Sequence, residues 1–272
     1  MKHSLRAFSL VELSIVLVIL GLLVGGVLTG QSLIRAAEIR AISTEYSKYK
    51  SAAMTFRDKY IALAGDMTNA TAFWGHADTS GADGSCGSPE SDTGSGTETC
   101  NGDGDGTLDM DTSIEPLRMW QHLANAGLIE GTYTGVDPDA GSDGDYYDVV
   151  IGDNAPFSKL GSSIGWAAYN IGPASGHGIF FDGNYGNSLN FGGSDGGNLP
   201  NAAALSPEEA WNVDTKMDDG LPAQGSVVVR YNMSSCTDQA DGTDAATSSD
   251  LDAVFELDTT SLACVLVFKN FY

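Results

Sequence analysis

Basic residues are scarce in most of this 272-residue chain. Residues 60–272 contain 5 Lys and Arg against 32 Asp and Glu, a net charge of −27, whereas residues 1–59 carry a net charge of +4. A surface this acidic repels phosphate backbones and anionic lipid headgroups. We therefore expect no nucleic acid as a direct partner.

The chain also lacks the motifs of several common enzyme classes. It has no phosphate-binding loop and no dinucleotide-binding fingerprint. Residues 161–165 (GSSIG) fit the pattern of a hydrolase nucleophile, but no acidic residue lies between Ser163 and His177 to complete a triad in the required order. We predict that the chain is not an enzyme.

Cysteines are few, and no C-x-x-C pair occurs, which argues against a zinc site. The even number fits an oxidising compartment and allows three pairings of Cys86, Cys100, Cys236 and Cys264. We favour Cys86–Cys100 and Cys236–Cys264, because each closes a local loop. The first loop, of about 15 residues, would contribute about 3 kcal/mol in the chain-entropy model.

Apolar residues, in contrast, are concentrated in one run, AFSLVELSIVLVILGLLVGGVLTG, at residues 7–30. As a helix, residues 8–30 would be about 34 Å long, which is enough to cross a hydrocarbon core about 30 Å thick. The run contains one carboxylate, Glu12. Its burial in lipid costs about 2.5–3.5 kcal/mol, so a carboxylate at this depth predicts a function and a partner.

The residues before the run resemble a processing site. The basic leader MKHSLRA ends in a small residue that precedes the apolar run, so cleavage there keeps the helix on the mature protein. With Phe8 next and Glu12 four residues later, A-F-S-L-V-E resembles the site shared by type IV pilins and type II secretion pseudopilins. The resemblance implies cleavage between Ala7 and Phe8, N-methylation of Phe8 and a role of Glu12 in assembly. The family usually has Gly at the position of Ala7, and an uncleaved signal anchor is the alternative.

The same resemblance implies a structural subunit of a type IV pilus or pseudopilus-like filament. Such a chain would sit in the bacterial inner membrane before assembly and afterwards in a periplasmic or extracellular filament. Its partners would be further copies of itself, related pilins and prepilin peptidase. The alternative is a low-copy minor pilin or calcium-dependent adhesin displayed at the filament tip.

Beyond residue 30, a stripe of apolar residues continues the helix. Its members recur at spacings of 3 and 4, and they are Ile39, Ile42, Tyr46, Tyr49, Ala53, Phe56 and Tyr60. Glu45 and the other charged residues lie off this stripe in our interpretation. The sequence thus predicts a leader (1–7), a transmembrane and assembly helix (8–30), its amphipathic half (31–60) and an acidic globular domain (61–272).

Within the globular domain we predict short elements separated by long loops rich in Gly and Asp. Helices are expected at 116–126, with His122 at the surface, and at about 207–218, where SPEE forms a capping box. Strands are expected at 146–151, 165–171, 178–181, 226–231, 253–257 and 264–268. This order gives an α+β fold, with the long helix packed on a C-terminal antiparallel sheet. The resemblance implies that this fold is pilin-like.

One loop has the pattern of a calcium site. The run CNGDGDGTLD places oxygen ligands at alternate positions, as the first half of an EF-hand loop does; the ligands would be Asn101, Asp103, Asp105, Thr107 through its carbonyl, and Asp109. The twelfth position is Thr112 instead of a bidentate Glu. Some pseudopilins bind calcium in loops before their last strands, which favours calcium here. The alternative is a hydrophilic turn held by Asp and Asn side chains.

Overall fold

The computed structural model describes residues 10–77, 86, 94, 96–109, 114–137, 148–176, 178–196, 199–230, 233, 235–238 and 247–272. In these residues a single long helix, α1 (Leu10–Tyr60), is followed by α2 (Thr71–Trp74), α3 (Glu115–Asn125) and α4 (Pro207–Met217). The rest of the regular structure is β-sheet, so the chain has the predicted α+β layout.

Nine short strands form three antiparallel sheets in the described part of the chain. They are β1 (Phe157–Ser158), β2 (Gly161–Asn170), β3 (Pro173–Ala174), β4 (Gly183–Asn184), β5 (Asn187–Gly193), β6 (Val227–Val229), β7 (Thr237–Asp238), β8 (Val254–Phe255) and β9 (Leu266–Phe268). The main sheet has the order β1-β2-β5-β9-β6, while β3-β4 and β7-β8 are separate pairs. The C-terminal antiparallel sheet is therefore confirmed.

The first half of α1 projects from this body. The helix has 51 residues and is about 77 Å long. Every large apolar side chain from Leu10 to Ile34 is at least 50% exposed. The most apolar 18-residue window has a mean hydropathy of 2.6 and is 0% buried, so α1 is long and apolar enough to cross a membrane by length and composition.

The second half of α1 packs against the body through the predicted stripe. Ile42, Tyr49 and Phe56 are buried in the main core. The ring of Tyr46 stacks on Phe268 of β9 with centroids 4.5 Å apart, and Tyr49 meets Trp120 of α3 edge to face at 5.0 Å. Aromatic pairs of this kind add about 0.5–1.5 kcal/mol beyond area burial. Both the sheet and α3 thus hold α1.

Several strand predictions need correction. No strand forms in the described residues 148–151, and 178–181 contributes only an isolated bridge between Phe180 and Arg230. Of residues 253–257, only Val254–Phe255 form a strand, β8, which pairs with β7 outside the main sheet. Within the described ranges, none of these three apolar runs has a neighbouring strand that allows more than a two-residue ladder.

The sequence did not predict β5, although all seven of its residues are buried. Its sequence, NSLNFGG, reads as a loop because Asn, Ser and Gly favour turns. The strand forms because β2 and β9 satisfy its backbone on both sides. A side chain at Gly192 would collide with the backbone of Pro200, so this close approach requires glycine.

Two disulfides cross-link the body. Cys86 pairs with Cys100 at a Cα–Cα distance of 5.5 Å, and Cys236 pairs with Cys264 at 5.1 Å. These are the local pairings that the loop lengths favoured. The second bridge joins Cys264, which lies just before β9, to Cys236, which directly precedes β7.

Candidate functional site

The exposed half of α1 carries Glu12 in the first turn that the structure describes. Polar side chains farther along this half bond to the backbone of their own helix: Ser14 Oγ donates to the carbonyl of Val11 and Thr29 Oγ1 to that of Gly25, both at 2.9 Å. These hydroxyls therefore need no partner in an apolar environment. Ala7 and Phe8, the predicted cleavage pair, lie outside the described residues.

Arg35 joins α1 to the start of α4 just where the helix enters the body. Its guanidinium donates to both carboxylate oxygens of Glu209, through Nε at 2.6 Å and Nη2 at 2.8 Å. Glu209 also completes the predicted capping box, since it accepts from the backbone N–H of Ser206 at 3.0 Å and donates its own N–H to Ser206 Oγ. The carboxylate of Glu209 thus both caps α4 and holds α1 through Arg35. Burial would raise the pKa of Glu209, but the hydrogen bonds and charge of Arg35 lower it overall.

Glu45 is buried, which corrects the prediction that it lies off the packed stripe. Its Oε2 accepts from Ser158 Oγ at 2.8 Å and from Trp166 Nε1 at 2.9 Å, while Oε1 accepts from the N–H of Lys159 at 3.0 Å. Three donors satisfy the carboxylate in the core. Residue 45 follows Ile42 by three and precedes Tyr49 by four, so its position in the helical repeat placed it inside despite its charge.

His122 is also buried, contrary to the prediction that it lies at the surface. Its Nδ1 accepts from the N–H of Gly65 at 3.0 Å, and its Nε2 lies 3.0 Å from Thr99 Oγ1. Burial, together with the charge of Arg118, lowers the pKa of His122 to about 3. The neutral imidazole therefore links α3 to the segment after α1 and to the residue before Cys100.

The predicted calcium loop brings three of its residues together. Carboxylate oxygens of Asp103, Asp105 and Asp109 lie within 4.8 Å of one another. The Oδ1 of Asn101 accepts from the N–H of Thr71 at the start of α2, so this predicted ligand oxygen is engaged by the backbone. The hydroxyl of Thr107 donates to Asp105 and Asp109, so this side chain spaces the carboxylates.

The structure adds two acids that sequence spacing did not reveal. Asp66 and Glu115 each place a carboxylate oxygen within 4.8 Å of Asp103. Asp66 accepts from the N–H groups of Gly104 and Gly106, which shapes the loop around it. Burial raises the pKa of Asp66 to about 6 despite these two hydrogen bonds. No local pattern could have found Asp66, because it lies far from the loop in the sequence.

The loop is compatible with both of its sequence interpretations. Two groups of three carboxylates share Asp103, and oxygen-only groups of this kind are the donor set that a hard cation such as Ca²⁺ prefers. The same loop has the hydrogen bonds of acidic turns, since Asp103 accepts from the N–H of Asp105 at 3.0 Å and Asp105 from that of Thr107 at 2.7 Å. These bonds lower the pKa of Asp105.

Comparison with known proteins adds no relative: no family model matches this chain, and no curated protein or solved structure is significantly similar to it.

Proposed function

We propose that this chain is a structural subunit of a type IV pilus or pseudopilus-like filament, cleaved before Phe8 and assembled through the apolar half of α1. The observation that carries the proposal is the complete exposure of that half, on a helix that continues without interruption into the body. The order of basic leader, Phe8 and Glu12 adds the processing signal.

The apolar half of α1 needs an apolar environment on all of its sides. Its side chains are exposed around the whole helix, so a single groove on the body could not bury them. Lipid provides such an environment before assembly. The same half of neighbouring copies provides it in a filament, where apolar helices surround each other.

Glu12 is suited to fix the position of each helix in that bundle. Cleavage before Phe8 creates a positive amine close to Glu12, and each charge alone is costly in an apolar environment. Opposite charges about 4 Å apart attract by roughly 4 kcal/mol at an effective dielectric of 20, which offsets an insertion cost of this size. The amine of one subunit pairs with Glu12 of its neighbour or of its own chain, and this pair sets the axial register.

The test is filament incorporation of Glu12→Ala, measured in sheared surface material beside an unmutated copy. We expect membrane insertion and leader removal to continue while incorporation falls sharply. Asp58→Ala is the matched control, because it removes an exposed carboxylate from the same helix outside the apolar half. Incorporation of Glu12→Ala at the level of the control would overturn the assembly role.

A second candidate is a low-copy minor pilin or calcium-dependent adhesin at the filament tip. The carboxylates around Asp103 favour it, because a cation bound to them would make the stability of the body depend on calcium. Copy number separates the two functions. Sheared filaments made mainly of this chain support the structural subunit, whereas a trace amount beside another major subunit supports the tip protein.

A further inference from the structure

A second acidic cluster lies at the end of α4, away from the loop predicted from sequence. Carboxylate oxygens of Asp214, Asp218 and Asp219 lie within 4.8 Å of one another. Asp214 belongs to the last turn of α4, and the other two follow the helix directly. The cluster thus stands at the negative end of the helix dipole, where further negative charge is unfavourable without a cation.

Asp214 carries the observation that points to a ligand. The residue is 0% exposed, and neither of its carboxylate oxygens has a hydrogen-bond partner among the residues that the structure describes. None of the salt bridges found in those residues involves it. The backbone amides of Gly220 and Asp219 favour its charged form, but neither meets the geometry of a hydrogen bond to its oxygens. A buried carboxylate with so little compensation is costly, and proteins satisfy such groups by pairing, by protonation or with a metal ion.

The other two carboxylates are held in place by backbone groups. Asp218 Oδ2 accepts from the N–H groups of Ser226 and Val227, at 2.5 and 3.0 Å, and Asp219 Oδ1 accepts from that of Leu221 at 2.9 Å. In the described residues no hydrogen bond engages the second oxygen of either carboxylate. Each of these two carboxylates therefore has one oxygen available to share a cation with the buried Asp214.

Nearby positive charge does not neutralise the cluster. Lys216 lies in the last turn of α4, and Lys269 interacts with Asp218 and Asp219 through charge alone. Neither lysine forms a direct ion pair with a carboxylate of the cluster.

We propose that Asp214, Asp218 and Asp219 bind a hard divalent cation of the calcium class. Three carboxylates without Cys or His form an oxygen-only donor set with a charge of −3, which suits Ca²⁺ and, with more retained water, Mg²⁺. The cation supplies the partner that Asp214 lacks. It also joins the end of α4 to the connection that leads into β6, because Asp218 accepts from the N–H groups of Ser226 and of Val227, the first residue of that strand.

The test is calcium-dependent thermal unfolding of the full-length chain in detergent, in an Asp103→Asn plus Asp105→Asn background that removes the other acidic cluster. We expect CaCl2 at a hundredfold excess over the dissociation constant to raise Tm by about 5 °C or more. Asp214→Asn abolishes this shift, and Asp219→Asn weakens the apparent affinity at least tenfold. Glu208→Gln, an exposed acid on the same helix, is the control and keeps the full shift. MgCl2 in a parallel series decides between the two ions.

Terbium luminescence supplies a second measurement if Asp214→Asn fails to fold. The indole Nε1 of Trp211 lies beside Gly220, 3.5 Å from where a side chain would begin, so Trp211 is placed to sensitise a bound Tb³⁺. Sensitised emission that Ca²⁺ displaces, and that Asp219→Asn weakens, supports the site. The proposal is overturned if neither ion nor Tb³⁺ binds in the background variant, or if Asp219→Asn responds as Glu208→Gln does. Filament incorporation is not a readout here, so a failure leaves the proposed function untouched.

Discussion

The carboxylate of Glu45 on α1 accepts a hydrogen bond from the indole Nε1 of Trp166 on β2, at 2.9 Å. Trp166 is fully buried at the centre of the aromatic core, so this bond ties the long helix to the sheet from the inside. The bond forms only when Glu45 of α1 lies directly opposite Trp166 of β2. A shift of α1 by one residue would leave the indole and the carboxylate without partners.

We predict that Glu45→Ala strongly destabilises the body. Removal of the carboxylate leaves buried donors of Ser158 and Trp166 unsatisfied, and each such donor costs about 1–3 kcal/mol. We expect a loss of at least about 3 kcal/mol, measured by denaturant unfolding of the full-length chain in detergent. Glu45→Gln should lose less, since it keeps one acceptor oxygen. Asp58→Ala is the control, and a stability of Glu45→Ala equal to it would contradict the prediction.

His122 makes stability depend on pH. The fold favours the neutral imidazole, because burial lowers its pKa from 6.5 to about 3. The unfolded chain therefore binds the extra proton, and the contribution of His122, complete above pH 6.5, is lost as pH falls toward 3. Relative to the non-titrating His122→Asn, the wild type should lose about 2 kcal/mol between pH 7 and 5.

The comparison with His122→Asn also cancels the contribution of Asp66. The pKa of that carboxyl is raised to about 6 in the folded chain, so protonation of Asp66 increases the free energy of unfolding as pH falls, whereas protonation of His122 decreases it. Asp66 is present in both proteins, so its contribution is the same in both. Urea unfolding at pH 5, 6 and 7 measures the difference. A constant difference in free energy across this range would show that His122 titrates normally.

Calcium should stabilise the body through the loop around Asp103. In an Asp214→Asn background, a hundredfold excess of Ca²⁺ over the dissociation constant would stabilise the fold by about 2.7 kcal/mol, because only the folded chain assembles these carboxylates. Asp103→Asn plus Asp105→Asn removes two of them and should abolish the effect in a calorimetric scan. Glu130→Gln is an exposed control. The absence of any shift with Ca²⁺ or chelator leaves the acidic-turn interpretation.

The mature chain should begin at N-methylated Phe8. The basic leader and the residue pair Ala7 and Phe8 carry this prediction. Intact-mass and peptide mass spectrometry of the membrane-bound and surface-sheared pools measures it. Ala7→Gly, which introduces the residue that type IV pilins usually have at this position, should be processed at least as well. An intact Met1 on most of the surface-exposed protein would show that the run is an uncleaved anchor.

The sequence predicted the elements whose pattern is local. The apolar run and the stripe specified α1, and Ser206 with Glu209 specified the start of α4, because the caps and helical repeats involve residues a few positions apart. β5 was missed for the opposite reason. Its Asn and Gly residues have no strand preference of their own, and the ladder with β2 and β9 imposes the conformation.

The buried polar groups escaped the sequence for a related reason. Glu45 and His122 were placed outside because charge and polarity normally indicate solvent, yet each meets donors or acceptors from distant segments. Three predicted cation ligands, Asp103, Asp105 and Asp109, do come together. Asp66 could not have been added, because only tertiary contacts bring it to the loop.

The order of the main sheet constrains how the chain can be made. β9, which follows every other described strand in the sequence, lies between β5 and β6 and stacks Phe268 on Tyr46 of α1. The sheet therefore stays divided until residues 266–268 have been synthesised. Until then Tyr46 of α1 lacks the ring of Phe268, and β5 and β6 lack the strand that joins them. A chain that ends before Leu266 would keep the whole of α1 but leave its aromatic stripe partly uncovered.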